Sequence, residues 1–335
     1  MSHVEEIHRV LSLPDLVGVR VGAHVPCPDP GCPGHGKSKA RCQIKSKTWT
    51  CYYCEAHGDI FGWVMARHGC DFKEALNTLA DYVGLSMKPD PERSEWLEAV
   101  VGAAARYLLA HESKLSYLTS TRALPKGLVF REQLGYIDPG GEVLRASGLS
   151  GRQLLQLGLL KPPFEGQTKY YSLLQNRFIF PVRNVHGEVV SLKGRWDPSC
   201  GEATAKNLSL PSEHEYAPSH WGRFSGWDQL YQEHHLWKAR QDGLVLLCEG
   251  EIDTLTGQAF DIPSAGLPGN QAIEKFASRL GGIARIYDAG DNDDATESKM
   301  PRRLFALQVA NPEAIVYRLK LPDLSGKGKT DLNDF

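Results

Sequence analysis

Five of the eight cysteines fall between Cys27 and Cys54, and their spacing is that of chelating pairs. Cys32-Pro-Gly-His35 and Cys51-Tyr-Tyr-Cys54 each set two metal-binding donors with two residues between them. A tetrahedral Zn²⁺ takes four nitrogen or sulfur ligands, and such a pair fills two vertices from one tight turn. Cys32, His35, Cys51 and Cys54 are the expected ligands, with Cys27 the alternative that would replace one of them. Cys42 falls on a strand position and is expected to be a small buried residue. Cys70, Cys200 and Cys248 have no partner pattern and read as core.

A second group is acidic. Glu249 follows the apolar run Leu244-Val-Leu-Leu-Cys248, Asp291-Asn-Asp293 follows Ile283-Ala-Arg-Ile-Tyr287, and Asp331-Leu-Asn-Asp334 follows Ala314–Lys320. In open α/β sheets the site lies outside the carboxyl ends of the strands, where such groups can converge. Carboxylates gathered in one place repel unless a cation sits between them, and hard Mg²⁺ or Mn²⁺ bridging to phosphates is the expected partner. Asp288, at the strand end itself, rivals Asp291 and Asp293 for the first metal position.

Between the two cysteine knuckles lie Lys37, Lys39, Arg41, Lys45 and Lys47 without an acidic residue, followed by Trp49, Tyr52 and Tyr53. Basic groups contact phosphates while aromatic rings stack on unpaired bases, the combination that holds single strands. A solvated basic face over core aromatics would leave the same trace.

The elements that must position these groups are legible from pattern. Arg41–Thr50 has strand-turn-strand character. Ser86–Ser94 carries two prolines and alternating charge and is expected to be an exposed linker. A helix is expected over Trp96–Ala110, and a hairpin from Phe178–Arg183 through Asn-Val-His-Gly to Glu188–Lys193. From Gly243 onward the rhythm is strand, helix, strand. Strands fall at Leu244–Cys248, Ile283–Tyr287 and Ala314–Lys320; helices fall at Thr254–Phe260, Asn270–Leu280 and Lys299–Val309. This alternation implies an open parallel sheet covered by helices. The net charge of −2 excludes a polycation that wraps nucleic acid through bulk charge, so any such binding must use local basic patches. No apolar run approaches the length of a membrane span, and the N-terminus lacks the order of a secretory signal. A cytoplasmic protein is expected.

At these residues the chain resembles the bacterial replicative primases of the DnaG type and their phage, plasmid and mobile-element relatives. Cys32-Pro-Gly-His35 with Cys51-Tyr-Tyr-Cys-Glu-Ala-His-Gly58 is similar to that family's zinc motif. Tyr117-Leu118 with Arg122, Leu134-Gly-Tyr136, Asn176–Arg183, Lys193-Gly-Arg195 and Lys206–Pro211 resemble its polymerase subdomain in order. Glu249-Gly-Glu-Ile-Asp253 and Asp291-Asn-Asp-Asp-Ala295 resemble the Toprim motifs, with Thr296 where glycine is usual. Lys329–Asp334 looks most like the third motif of phage primase-helicases.

The resemblance implies an α+β multidomain protein. It would have a zinc-ribbon template-recognition domain at 1–85, a linker at 86–94, the N-terminal subdomain of an RNA polymerase core at 95–241, and a Toprim catalytic subdomain at 242–335. It implies synthesis of short RNA primers on single-stranded DNA from nucleoside triphosphates, with structural Zn²⁺ and catalytic Mg²⁺ or Mn²⁺. Glu249 would act as acid/base or metal-organising carboxylate, Asp291 and Asp293 as metal ligands, and Asp331 and Asp334 would complete the rim. Arg122, Arg183, Lys193, Arg195 and Lys206 would hold template phosphates or the incoming triphosphate. A replicative helicase, in a separate chain or a further domain, is the expected partner.

Overall fold

The structure is a computed structural model. It describes residues 3–33, 41–82, 90–163, 168–202, 205–211, 214–218, 221, 229–268, 273–291, 294–320, 322 and 332–334. The chain divides into two compact units, Met1–Lys88 and Pro89–Phe335.

The first unit is built on four antiparallel strands in sequential order: β1 (His24–Val25), β2 (Cys42–Ile44), β3 (Trp49–Cys51) and β4 (His57–Gly58). In β2 and β3 the outer residues of each triplet are buried, so Cys42 and Ile44 face the core opposite Cys51 and Trp49. The helix Ile60–His68 follows. Asp59 caps it by accepting the Gly62 N–H, and Gly69 ends it in the left-handed region at φ 63°. Its Ile60, Phe61, Trp63 and Val64 join Ile7, Ile44 and Leu79 in one core, and burying a side chain the size of Phe61 contributes about 1.5–3 kcal/mol.

In the second unit a helix runs from Pro91 to Ala110. It therefore starts inside the stretch whose composition suggested a linker. Asp90 accepts from the Glu92 and Arg93 N–H groups, and Pro91 occupies the first turn, where no donor is missed. Against this helix packs a sheet of order β10-β9-β8-β5, formed by β5 (Gly135–Ile137), β8 (Arg177–Arg183), β9 (Val189–Trp196) and β10 (Asn207–Ser209). The short pair β6 (Leu160–Lys161) and β7 (Tyr171–Ser172) stands apart. At Gly135 a Cβ would lie 2.6 Å from that of Ala104, so strand and helix approach as closely as glycine allows. The expected hairpin is present as β8 and β9, with a register shift at Val182/Arg183.

The remainder forms a parallel sheet of order β12-β11-β13-β14, comprising β11 (Leu244–Cys248), β12 (Ser264–Gly266), β13 (Arg285–Ala289) and β14 (Ile315–Arg318). Three of these strands were expected. The edge strand β12 was not, because Ser-Ala-Gly carries no β-branched or alternating pattern. Of the helix expected over Asn270–Leu280, residues 270–272 lie outside the described residues, and the rest is the helical turn Ile273–Phe276 continued as a 3₁₀ segment, Ala277–Leu280. A shared core of Tyr136, Phe178, Phe180, Tyr231, Ile252 and Leu255 joins the antiparallel sheet to the helix Glu251–Ala259 that follows β11. This junction sets β9 beside the carboxyl end of β11. Among the described residues no helix is long and apolar enough to cross a membrane.

Candidate metal centre and nucleotide cleft

In the first unit Cys27, Cys32, Cys51 and Cys54 bring their sulfurs within 4.8 Å of one another. The Cys27–Cys54 and Cys32–Cys51 sulfurs lie 3.8 and 3.9 Å apart. A tetrahedron with Zn–S bonds of about 2.3 Å has edges of about 3.8 Å, so the four thiols fit one zinc ion without rearrangement. Burial alone would raise the Cys51 thiol, but the N–H groups of Cys54 and Tyr53 outweigh it and lower the pKa to about 7. The spacing had favoured His35 over Cys27. The structure instead completes a donor set with Cys27, and His35 lies outside the described residues. Cys42 is fully buried in the core.

The basic face is divided. Arg41, Lys45 and Lys47 are exposed, while Lys37 and Lys39 lie outside the described residues. Trp49 corrects the expectation that it stacks on bases. It is 2% exposed, packs edge-on against Trp63 at 5.5 Å, and donates its indole N–H to the Asp59 carbonyl. The reason is strand parity. Trp49 shares a face of β3 with Cys51, which turns inward. Tyr52 and Tyr53, 57% and 44% exposed, are the rings available to a ligand.

In the second unit Glu249 follows directly after β11, and Gly250 starts the helix Glu251–Ala259. Asp288 and Gly290 sit at the end of the neighbouring strand β13. A Cβ at Gly290 would lie 2.8 Å from Glu249 Oε1 and 3.0 Å from Thr296 Cγ2, so a larger residue there would displace the carboxylate. The Cys248 thiol, at the tip of β11, is pushed well above its ordinary pKa by burial and by the charges of Asp253, Asp288 and Asp291. Carboxylates distant in sequence thus act on one strand end.

Arg303, from the helix Met300–Ala310, ties two of them together. Its Nε and Nη2 donate to the two oxygens of the fully buried Asp288 at 3.0 and 2.8 Å, and its Nη1 donates to Glu249 Oε1. Arg318 on β14 donates to the carbonyls of Asp288, Gly290 and Asp291, holding the loop after β13. Neither arginine belongs to a sequence motif, and no local signal marks them. Asp291 is half-buried; Asp293, Asp331 and the side chain of Asp334 lie outside the described residues. Among the described residues, Glu249, Asp288 and Asp291 do not gather three carboxylate oxygens within 4.8 Å.

The last described segment, Leu332–Asp334, docks beside this rim. Leu332 packs on Leu246, Cys248 and Ala289. The Asn333 N–H donates to Asp253 Oδ1 at 3.2 Å, and its Nδ2 donates to the Arg122 carbonyl and Thr256 Oγ1, each at 2.9 Å. Arg122 Nη1 returns a bond to Asn333 Oδ1 at 3.3 Å.

Between the two sheets opens a solvent-facing cleft. It is lined by Lys193 and Arg195 of β9, Asn207 and Ser209 of β10, and Glu249 and Glu251. Lys193 and Arg195 point the same way because they stand two residues apart on one strand. Lys193 Nζ donates to Glu251 Oε1, a residue missed in the sequence. Burial raises the Tyr117 phenol, but the hydrogen bond from Arg122 and the charge of Arg195 outweigh it and hold the pKa below its ordinary value. Arg122 and Arg195 therefore converge on one ring. Lys206 is exposed just before β10 and is not among the residues lining the cleft. Arg183 does not reach the cleft; it donates to Glu98 Oε1 and the Gly187 carbonyl, each at 2.7 Å, and to Gln133.

This pairing of a thiol-clustered ribbon with a basic sheet facing an acidic parallel-sheet edge has known counterparts. Residues 4–95 match the CHC2 zinc finger family model of DnaG type, and residues 105–216 match the N-terminal domain of the DNA primase catalytic core. Both stretches are thus similar to domains of DnaG-type primases. It is 32% identical over 175 residues to the DNA primase of Deinococcus radiodurans, covering 49% of this chain and 30% of that one. It is 26% identical over 351 residues to the DNA primase of Neisseria meningitidis serogroup A, covering 95% and 56%. The chain spans about a third to a little over half the length of these relatives. Its fold is similar to the zinc-binding and RNA polymerase domains of Aquifex aeolicus primase, with a TM-score of 0.60 and 20% identity, covering 100% of this chain and 82% of that one. It is also similar to a DnaG primase catalytic domain bound to single-stranded DNA, with a TM-score of 0.56 and 21% identity, covering 72% and 73%.

Proposed function

We propose that the chain is a DNA primase that starts short RNA strands on a single-stranded DNA template. The observation that carries this reading is the cleft in which Lys193 and Arg195 face Glu249 and Glu251 across two sheets. Cations on one wall suit a triphosphate, and carboxylates on the other suit divalent ions. Mg²⁺ or Mn²⁺ would be held by Glu249, Asp291 and Asp293. Such ions need only one or two carboxylates beside water and substrate phosphates. Arg303 engages only Oε1 of Glu249 but both oxygens of Asp288. The pairing of Asp288 with Arg303 favours Asp291 over Asp288 as ligand.

When bound, the ion would lower the pKa of the attacking 3′-hydroxyl and offset charge on the α-phosphate. Lys193 and Arg195 would orient the triphosphate for in-line attack. Arg303 fixes Glu249 so that its carboxylate faces the cleft, and Arg122 with Lys206 would hold template phosphates. In the ribbon, Cys27, Cys32, Cys51 and Cys54 would hold structural Zn²⁺, while Arg41, Lys45, Lys47, Tyr52 and Tyr53 read unpaired template bases. A cytoplasmic setting and a replicative helicase partner belong to the same reading. A phage, plasmid or mobile-element origin rests on Lys329–Asp334 alone.

The test is incubation with single-stranded DNA, labelled nucleoside triphosphates and Mg²⁺ or Mn²⁺. New short RNA, lost in Glu249→Gln with DNA binding retained, supports synthesis. Shortened DNA would instead assign a strand-cutting Toprim enzyme, and binding without either product would leave a recognition module.

A further inference from the structure

Away from the cleft, Glu132, His234 and His235 bring one ligand atom each within 4.8 Å of one another. Glu132 caps the end of the helix Lys126–Arg131 and is buried; the histidines lie in the turn Glu233–His235 that leads into the helix Leu236–Asp242 and then β11. That turn is anchored from below. Glu233 is buried and accepts from Arg279 Nη1 at 2.8 Å, and Tyr231 bridges in antiparallel fashion to Gly266 of β12. The rings of His234 and His235 stand 4.1 Å apart. His234 Nδ1 and His235 Nε2 are buried and make no hydrogen bond among the described residues. His235 Nε2 stands 3.7 Å from Glu132 Oε1, beyond hydrogen-bond range. Two buried, unsatisfied ring nitrogens beside a carboxylate are costly unless something binds them, at about 1–3 kcal/mol for each orphaned group.

We propose that Glu132, His234 and His235 form a second divalent transition-metal site, separate from the ribbon and from the acidic rim, that takes Zn²⁺. Two imidazoles and a carboxylate suit zinc and its neighbours, whereas Mg²⁺ and Ca²⁺ prefer oxygen alone. Three protein ligands leave a fourth position for water. The ion would clip the helix Lys126–Arg131 of the antiparallel-sheet half to the turn that enters the parallel sheet. Arg131 Nε competes for Glu132 Oε1 at 2.8 Å, but its side chain is 58% exposed and can turn into solvent.

Titration of the full chain, its ribbon already zinc-loaded and Mg²⁺ saturating, reads the stoichiometry by calorimetry and elemental analysis. One further equivalent of Zn²⁺ is expected. Glu132→Gln and His235→Asn should each weaken that equivalent by roughly tenfold or more while the ribbon zinc stays. Arg131→Ala leaves all three ligands in place and should tighten it, an effect that no folding defect mimics. Absence of a further equivalent overturns the proposal. So does a further equivalent unmoved by both ligand variants, or an Arg131→Ala affinity no tighter than that of the parent chain. Primer synthesis does not enter the readout, so the result stands apart from the polymerase reading.

Discussion

Replacing Arg303 by Met tests the acidic strand end most directly. Arg303, Glu249 and Asp288 have side chains that are 8%, 9% and 0% exposed. The guanidinium makes three charge-assisted bonds, two of them to Asp288, whose other donor is the Gly290 N–H at 3.0 Å. Each such bond is worth about 1.5–3 kcal/mol in isolation, but their sum overstates the loss because the pair also carries a desolvation cost. Removing one partner of a buried ion pair typically costs about 3–5 kcal/mol, since it strands the other charge. Arg303→Met should therefore destabilise the second unit by about 3–5 kcal/mol. Adding Asp288→Asn removes the stranded charge and should restore much of that loss. Hydrogen exchange of the Val245–Leu247 amides in the intact chain reads this unit's global opening without interference from the ribbon. A loss below about 1 kcal/mol, or a double variant as unstable as Arg303→Met alone, would refute the claim that Arg303 neutralises a buried acidic pair.

Four further outcomes follow from other parts of the structure. Trp49→Ala should destabilise the ribbon by about 3–5 kcal/mol in thermal unfolding. Tyr52→Ala should instead leave stability within about 0.5 kcal/mol and weaken single-strand binding by about 1–3 kcal/mol in fluorescence titration. Cys27→Ala should lose ribbon zinc in elemental analysis while His35→Ala keeps it; the reverse result would reinstate the Cys32–His35 knuckle. Burial raises the Asp197 carboxyl, but Lys114 and Ser199 outweigh it and hold its folded pKa below the unfolded value. That stability is present above the unfolded pKa, near about 3.9, and is lost as pH falls through the folded one. Lys114→Met should flatten this acid-side dependence in urea unfolding followed as pH falls below about 3.9.

Much was legible because it is local. Chelating cysteines flanking a hairpin announce a ribbon, since a tight turn brings near neighbours together whatever the rest of the chain does. Apolar runs announced β11, β13 and β14, and an acidic residue after each pointed to the sheet's carboxyl edge. Even Trp49 could have been placed, because it shares strand parity with Cys51, and a chelating Cys51 must turn inward. The choice between Cys27 and His35 was not local. It depends on whether the chain between Cys27 and Cys32 folds back toward the second knuckle, which spacing alone leaves open. Arg183 looked like a site residue from its place in a motif, yet Glu98, on a helix distant in sequence, takes it up.

The sequence by itself determined the ribbon, the parallel sheet and the kinds of side chain that meet there. Tertiary structure decided which of them meet. Only packing of Phe178 and Phe180 against Ile252 and Leu255 sets Lys193 and Arg195 opposite Glu249, and only the fold brings Arg303 onto Asp288. The physical reason is range. Helix caps, chelate pairs and strand alternation are written within a few residues, whereas charge pairing acts through space between segments whose separation along the chain carries no information about their distance.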